Sequence, residues 1–188
     1  MSNNLTTTPL VSVIVNCLNG ERYLKKSLDS IYKQTYENFE IIFWNNGSTD
    51  QSKLIASSYD NKLKLYSSED TVPLGMARNR AIREAKGLYI AFLDVDDWWT
   101  PEKLEIQIAR FSDKDVGLVY GNYKVFNERK QQSYIATKIL KTNDILTNNL
   151  LNNYNVGLIT VMVRAKVFDK ISFDSKYHII GDFDFVQQ

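Results

Sequence analysis

Asp94, Asp96 and Asp97 close the apolar run Leu88-Tyr89-Ile90-Ala91-Phe92-Leu93, and Trp98 and Trp99 follow at once. Carboxylates a few Å apart cannot all stay ionised unaided, so such a cluster calls for hydrogen-bond donors or a cation. Magnesium or manganese fits the charge and the oxygen ligands. If the run is a strand, alternation lets Asp94 and Asp96 project the same way at its carboxyl end while Val95 turns back toward the core. A second acidic pair, Asp182 and Asp184, lies in Ile180-Gly181-Asp182-Phe183-Asp184-Phe185. On a helix these two point roughly 200° apart, so they cannot share one role.

The elements that position these groups alternate. Val11-Ser12-Val13-Ile14-Val15 reads as a buried strand, and Gly20-Glu21 opens a helix with Leu24, Leu28 and Ile31 on its apolar face. Phe39 to Trp44 is a second strand, and Asn45 to Asp50 forms a turn that caps a helix running through Ile55. Leu63 to Tyr66 is a short strand, and Gly75 to Lys86 is a helix stopped by Gly87. After the acidic cluster, Thr100-Pro101 starts another helix with a capping hydroxyl. Strands alternating with helices imply an α/β fold, a mostly parallel sheet with helices on both faces, and ligands at the carboxyl edge. Beyond Phe111 the pattern loosens. Val116 to Tyr120 and Ile159 to Val163 read as strands, and the Asn-rich stretch Thr142 to Asn155 as a short helix and loops. The chain stops after Gln188 with a helix just beginning, as a truncated domain would.

The 188 residues suit one domain with a single sizeable core. With 23 basic and 22 acidic residues the net charge is +1, so no overall field draws the chain to nucleic acid. A lone cysteine, Cys17, excludes an internal disulfide and reads as a packing residue; His178, the only histidine, reads as an ordinary packing or surface residue. The polar start Met1 to Thr8 is no signal peptide, and no apolar run reaches transmembrane length, so a cytoplasmic protein is expected.

Taken in order, four motifs resemble those of family-2 glycosyltransferases of the GT-A fold, inverting enzymes that use nucleotide-sugar donors. They are Val11 to Asn19, Trp44-Asn45-Asn46-Gly47-Ser48-Thr49-Asp50, Gly75-Met76-Ala77-Arg78-Asn79-Arg80-Ala81 leading into Asp94-Val95-Asp96-Asp97, and the late acidic segment around Asp182. The resemblance implies a three-layer αβα sandwich, with residues 1–188 as a single catalytic domain. Residues 1–111 would be the donor-binding half and 112–188 the acceptor side. It places Asn16, Leu18 and Asn46 at the nucleobase, uracil included, Arg78 near the ribose or pyrophosphate, and Asp94 and Val95 at the ribose end. Asp96 becomes the ligand of Mn2+ or Mg2+, and Asp182 the general base. The implied partners are a nucleotide-sugar donor, UDP-linked, and a glycan, lipid-linked or protein acceptor. Two other readings of the same residues compete. One is a nucleotide-sugar-binding but inactive relative, prompted by Asn45, Asn46 and Leu18. The other is a haloacid-dehalogenase-like phosphatase, whose nucleophile loop is also a strand followed by Asp-x-Asp.

Overall fold

The computed structural model describes residues 8–136, 156–174 and 176. Four parallel strands come first: β1 (Val11–Cys17), β2 (Phe39–Asn46), β3 (Leu63–Ser68) and β4 (Tyr89–Phe92). The helices α1 (Glu21–Tyr32), α2 (Ser52–Ser57) and α3 (Leu74–Arg83) connect them, and α4 (Lys103–Arg110) follows β4. Next come β5 (Leu118–Val119), a hairpin of β6 (Lys124–Asn127) and β7 (Gln132–Ile135), and β8 (Met162–Arg164). Among the described residues the main sheet runs β3-β2-β1-β4-β8-β5, with β8 antiparallel to both β4 and β5.

The sheet is covered on both faces, so its central strands carry apolar residues at nearly every position. Val11, Val13 and Val15 of β1 and Phe39, Ile41 and Phe43 of β2 join Leu24, Leu28 and Ile31 of α1, Ala56 of α2 and Leu104 of α4 in one core. Ile14, Ile42, Ile90 and Phe92 point the other way, against Ala81 of α3 and Val161, Val163 and Phe173. The result is the expected αβα sandwich. Small residues let α3 sit close, since its buried face includes Ala77 and Ala81. Gly87 permits the tight passage into β4: a Cβ there would lie 2.6 Å from the backbone nitrogen of Ser12. Below that passage the buried Glu40 carboxylate accepts hydrogen bonds from the Ser12 hydroxyl at 2.7 Å and the Lys86 amide at 2.8 Å.

Several boundaries differ from the sequence reading. The strand ends at Phe92, although the Leu93 amide adds one more ladder bond to the Ile14 carbonyl. Asp94 to Asp97 then form a turn closed by the Asp97 amide donating to the Asp94 carbonyl at 3.1 Å. Turn geometry, not strand alternation, therefore orients Asp94 and Asp96. Helix α3 spans Leu74–Arg83 and stops before Lys86. Thr100 does not cap α4, which starts at Lys103. The Thr100 carbonyl instead accepts from Gln34 Nε2 at 2.7 Å, and Gln34 Oε1 accepts from the Leu104 amide at 3.0 Å, so a side chain of the α1–β2 connection does the capping. Ile159 and Thr160 belong to a 3-10 turn before β8, not to a strand. The stretch 142–155 and the segment around Asp182 lie outside the described residues.

Candidate functional site

The carboxyl ends of β1, β2 and β4 meet two loops that brace each other. After β1, the Asn19 amide donates to Ser48 Oγ at 3.0 Å, Gly20 to Ser52 Oγ at 2.9 Å and Glu21 to Asp50 Oδ2 at 3.0 Å. In return Glu21 Oε2 accepts from the Gln51 amide and Asn19 Oδ1 from the Thr49 amide, both at 2.9 Å. Residues after β2 thus satisfy the first amides of α1, and α1 answers at the start of α2. The Ser48-Thr49-Asp50 segment is a structural brace as well as a rim of the site. Leu18, 47% exposed, stands beside it.

On the α3 side of the sheet, polar groups gather. Asn46 is buried, and its amide pairs with one backbone unit: Nδ2 donates to the Val72 carbonyl at 2.8 Å, and Oδ1 accepts from the Val72 amide at 3.1 Å. Ser68 Oγ approaches the same Oδ1 at 3.4 Å. Asn46 therefore fixes the β3–α3 loop and keeps one N–H for other use. Asn16 Nδ2 is buried with no hydrogen-bond partner among the described residues. An amide donor left so costs about 1–3 kcal/mol, which a ligand carbonyl would recover.

Arg78 is no solvated basic residue. It is 4% exposed, it donates through Nη2 to Asp94 Oδ1 at 3.4 Å, and its guanidinium lies 5.3 Å from the centroid of the Phe173 ring. Asp94 is thereby tied to α3, and its carbonyl accepts from Ser27 Oγ of α1 at 3.2 Å. Val95 packs into the core, as expected, filling the space beside Gly20: a Cβ on Gly20 would come within 2.9 Å of Val95 Cγ2. This close approach sets the turn that lifts Asp96 into solvent.

The charge of the cluster is uneven. Burial, and then the charges of Asp96 and Asp94, push the Asp97 carboxyl up to about 6. Burial, the hydrogen bond to Glu128 and the charges of Glu128 and Asp96 raise the Tyr23 phenol above its ordinary value, with Arg22 opposing. Among the described residues no group of three or more His, Cys, Asp or Glu side chains forms a metal cage. The three aspartates do not converge as ligands. An exposed carboxylate flanked by two repelling ones nevertheless fits a cation completed by phosphate oxygens and water, the usual habit of magnesium.

Asn16, Leu18, Asn46, Arg78, Asp94, Val95 and Asp96 thus lie at or just beyond the carboxyl ends of β1, β2 and β4 or in the helix above them. Asp182 lies outside the described residues. Sequence reasoning missed the Val72 clamp, which depends on a tertiary contact. It also missed the hairpin: Glu128 at its turn accepts from Arg22 Nη2 at 3.0 Å and Tyr23 Oη at 3.1 Å.

Comparison with known proteins identifies the family and the fold. The profile of the family described as "Glycosyl transferase family 2" matches residues 12–175. The chain belongs to that family. Among its curated relatives is the Escherichia coli UDP-Glc:alpha-D-GlcNAc-diphosphoundecaprenol beta-1,3-glucosyltransferase WfgD, 34% identical over 165 residues, covering 87% of this chain and 64% of that protein. An uncharacterized glycosyltransferase of Rickettsia typhi, RT0329, is 34% identical over 187 residues, covering 95% and 58% respectively. The chain therefore spans about three-fifths of the length of these family-2 relatives. Among solved structures, S. aureus TarS 1–349 in complex with UDP superposes with a TM-score of 0.79 at 26% identity, over 93% of this chain and 53% of that one. Mannosyltransferase PcManGT from Pyrobaculum calidifontis, in complex with GDP-Man and Mn2+, shares the fold at a TM-score of 0.68 and 21% identity, over 90% and 49%. Family-2 membership and the GT-A type sandwich leave the phosphatase reading without support.

Proposed function

We propose that this chain is the catalytic domain of an inverting glycosyltransferase that moves a sugar from a UDP-sugar to a hydroxyl of a glycan, lipid-linked or protein acceptor. Residues 1–111 form the donor half and 112–188 the acceptor side of a single domain that acts in the cytoplasm. The observation that carries the reading is the polar cluster at the ends of β1, β2 and β4, set in a fold shared with a UDP complex. Asn16 Nδ2 and the spare N–H of Asn46 are two amide donors on the α3 face of adjacent strands, a match for a base with two ring carbonyls such as uracil. Leu18 offers an apolar edge to the base. Arg78 and Asp94 hold each other in place for the ribose and pyrophosphate, and Val95 fixes the turn between them and Asp96.

Asp96 would hold Mn2+ or Mg2+, which when bound neutralises charge on the departing diphosphate. Asp182 takes the proton of the acceptor hydroxyl as that oxygen forms its bond to the anomeric carbon, opposite the breaking bond to the diphosphate. The glucosyl transfer to a diphosphate-linked lipid named for WfgD favours a lipid-linked acceptor among the three classes. The test is product analysis with a panel of UDP-sugars: UDP is released, the new glycosidic bond has the configuration opposite to the donor's, and Asp182→Asn stops transfer but not UDP binding. Retention of configuration, or full activity in Asp182→Asn, would contradict it.

A further inference from the structure

Trp98 and Trp99 are adjacent, yet only one belongs to the core. Trp99 is 8% exposed and its Nε1 donates to the Ile159 carbonyl at 2.9 Å; Trp98 is 43% exposed, two residues beyond Asp96. The Trp98 indole is held from two sides. Lys26 Nζ of α1 sits 3.1 Å from its ring centroid, and Phe126 of β6 meets it at 6.3 Å with the planes 69° apart. Phe126 is itself 41% exposed. The hairpin that carries it lies outside the main sheet and is pinned to α1 by Glu128, which takes hydrogen bonds from both Arg22 and Tyr23.

Aromatic surface at the rim of a polar site, ringed by Lys26, Arg22, Tyr23 and Glu128, has the chemistry of a carbohydrate subsite: a sugar's C–H face covers the rings while its hydroxyls reach the surrounding donors and acceptors. An alkyl chain fits less well, because covering the indole would strip water from the Lys26 ammonium with nothing to replace it. We infer that Trp98 and Phe126 form a platform for a pyranose ring of the acceptor, two residues beyond Asp96 and flanked by the β6–β7 hairpin that Glu128 anchors to α1. This rests on the glycosyltransferase reading, but its test is separable from it.

The chain is labelled with 5-fluorotryptophan, saturated with UDP and manganese, and titrated with methyl α-N-acetylglucosaminide and methyl β-glucoside while the fluorine resonances are followed. Trp98→Phe assigns the resonance. The Trp98 signal should move saturably with at least one glycoside while Trp44 and Trp99 stay still, and Phe126→Ala should weaken that binding about tenfold. A Trp98 signal that stays still with both glycosides overturns the inference, as does an equal shift with decyl phosphate, which carries a chain and no sugar. Melting shifts with UDP, read on the same samples, report the donor site separately: their loss would refute the donor reading without bearing on Trp98.

Discussion

The proposed donor end and the hairpin rim are built in opposite ways. At the former, strands of up to eight residues are buried on both faces, and several of the polar side chains that emerge are tied to named partners: Asn46 to Val72, Arg78 to Asp94, Asp50 to Glu21. At the rim, β6 and β7 are four residues each, largely exposed, and joined to the body through side chains such as Glu128 and Phe126. A pocket for an unvarying nucleotide gains by being rigid before the ligand arrives, since every group already fixed is one less to order on binding. A surface for the acceptor gains from adjustable contacts.

Substitutions can break this contrast. The largest loss is expected at Gly87→Ala, whose Cβ meets backbone on a strand that cannot move aside, costing about 3 kcal/mol or more in urea unfolding. Asn46→Ala should cost about 1–3 kcal/mol by the same measurement, because it leaves both Val72 groups unpaired, and should weaken UDP binding in parallel. Lys103→Met should act in the other direction. The Lys103 Nζ lies buried over the Trp99 ring at 3.8 Å without a hydrogen-bond partner among the described residues, and burial holds its pKa well below the usual lysine range. The folded chain thus binds fewer protons there than the unfolded chain, so its contribution to stability rises with pH up to the ordinary lysine pKa. The variant should gain about 1 kcal/mol at pH 7, with the gain shrinking as pH approaches 10. Smallest is Glu128→Ala: an exposed contact, worth within about 0.5 kcal/mol of stability, whose loss should raise the acceptor KM and leave UDP binding unchanged. A large stability loss at Glu128, or none at Asn46, would erase the distinction between the two regions.

The same contrast explains what was legible. Buried strands write themselves as continuous apolar runs, so β1, β2 and β4, the helices between them and the three-layer sandwich could be read directly, along with the place of Asp94 and Asp96 at the sheet's edge. What failed depended on partners far along the chain. Gln34 overrides the Thr100-Pro101 start signal by capping Leu104, and the Asp94–Asp97 turn follows from Val95 plugging the space beside Gly20. The β6–β7 hairpin was silent because its turn, Glu128 to Gln131, lacks the Asn-Gly or Asp-Gly that marks such turns; Gln131 takes the positive φ of 50° instead. Arg78 shares its helix with Arg80 and Arg83, and only the packing of α3 shows that it is the buried one of the three.

The central claim is that Asp96 makes nucleotide binding depend on a divalent cation. It is tested most directly by the melting temperature of the chain and of Asp96→Ala with UDP, in the presence and absence of manganese. The account predicts a rise with UDP and manganese together that the variant loses while keeping the wild-type melting temperature without ligand, as suits an exposed turn residue. An equal rise in Asp96→Ala, or a rise with UDP that manganese does not enlarge, would contradict it.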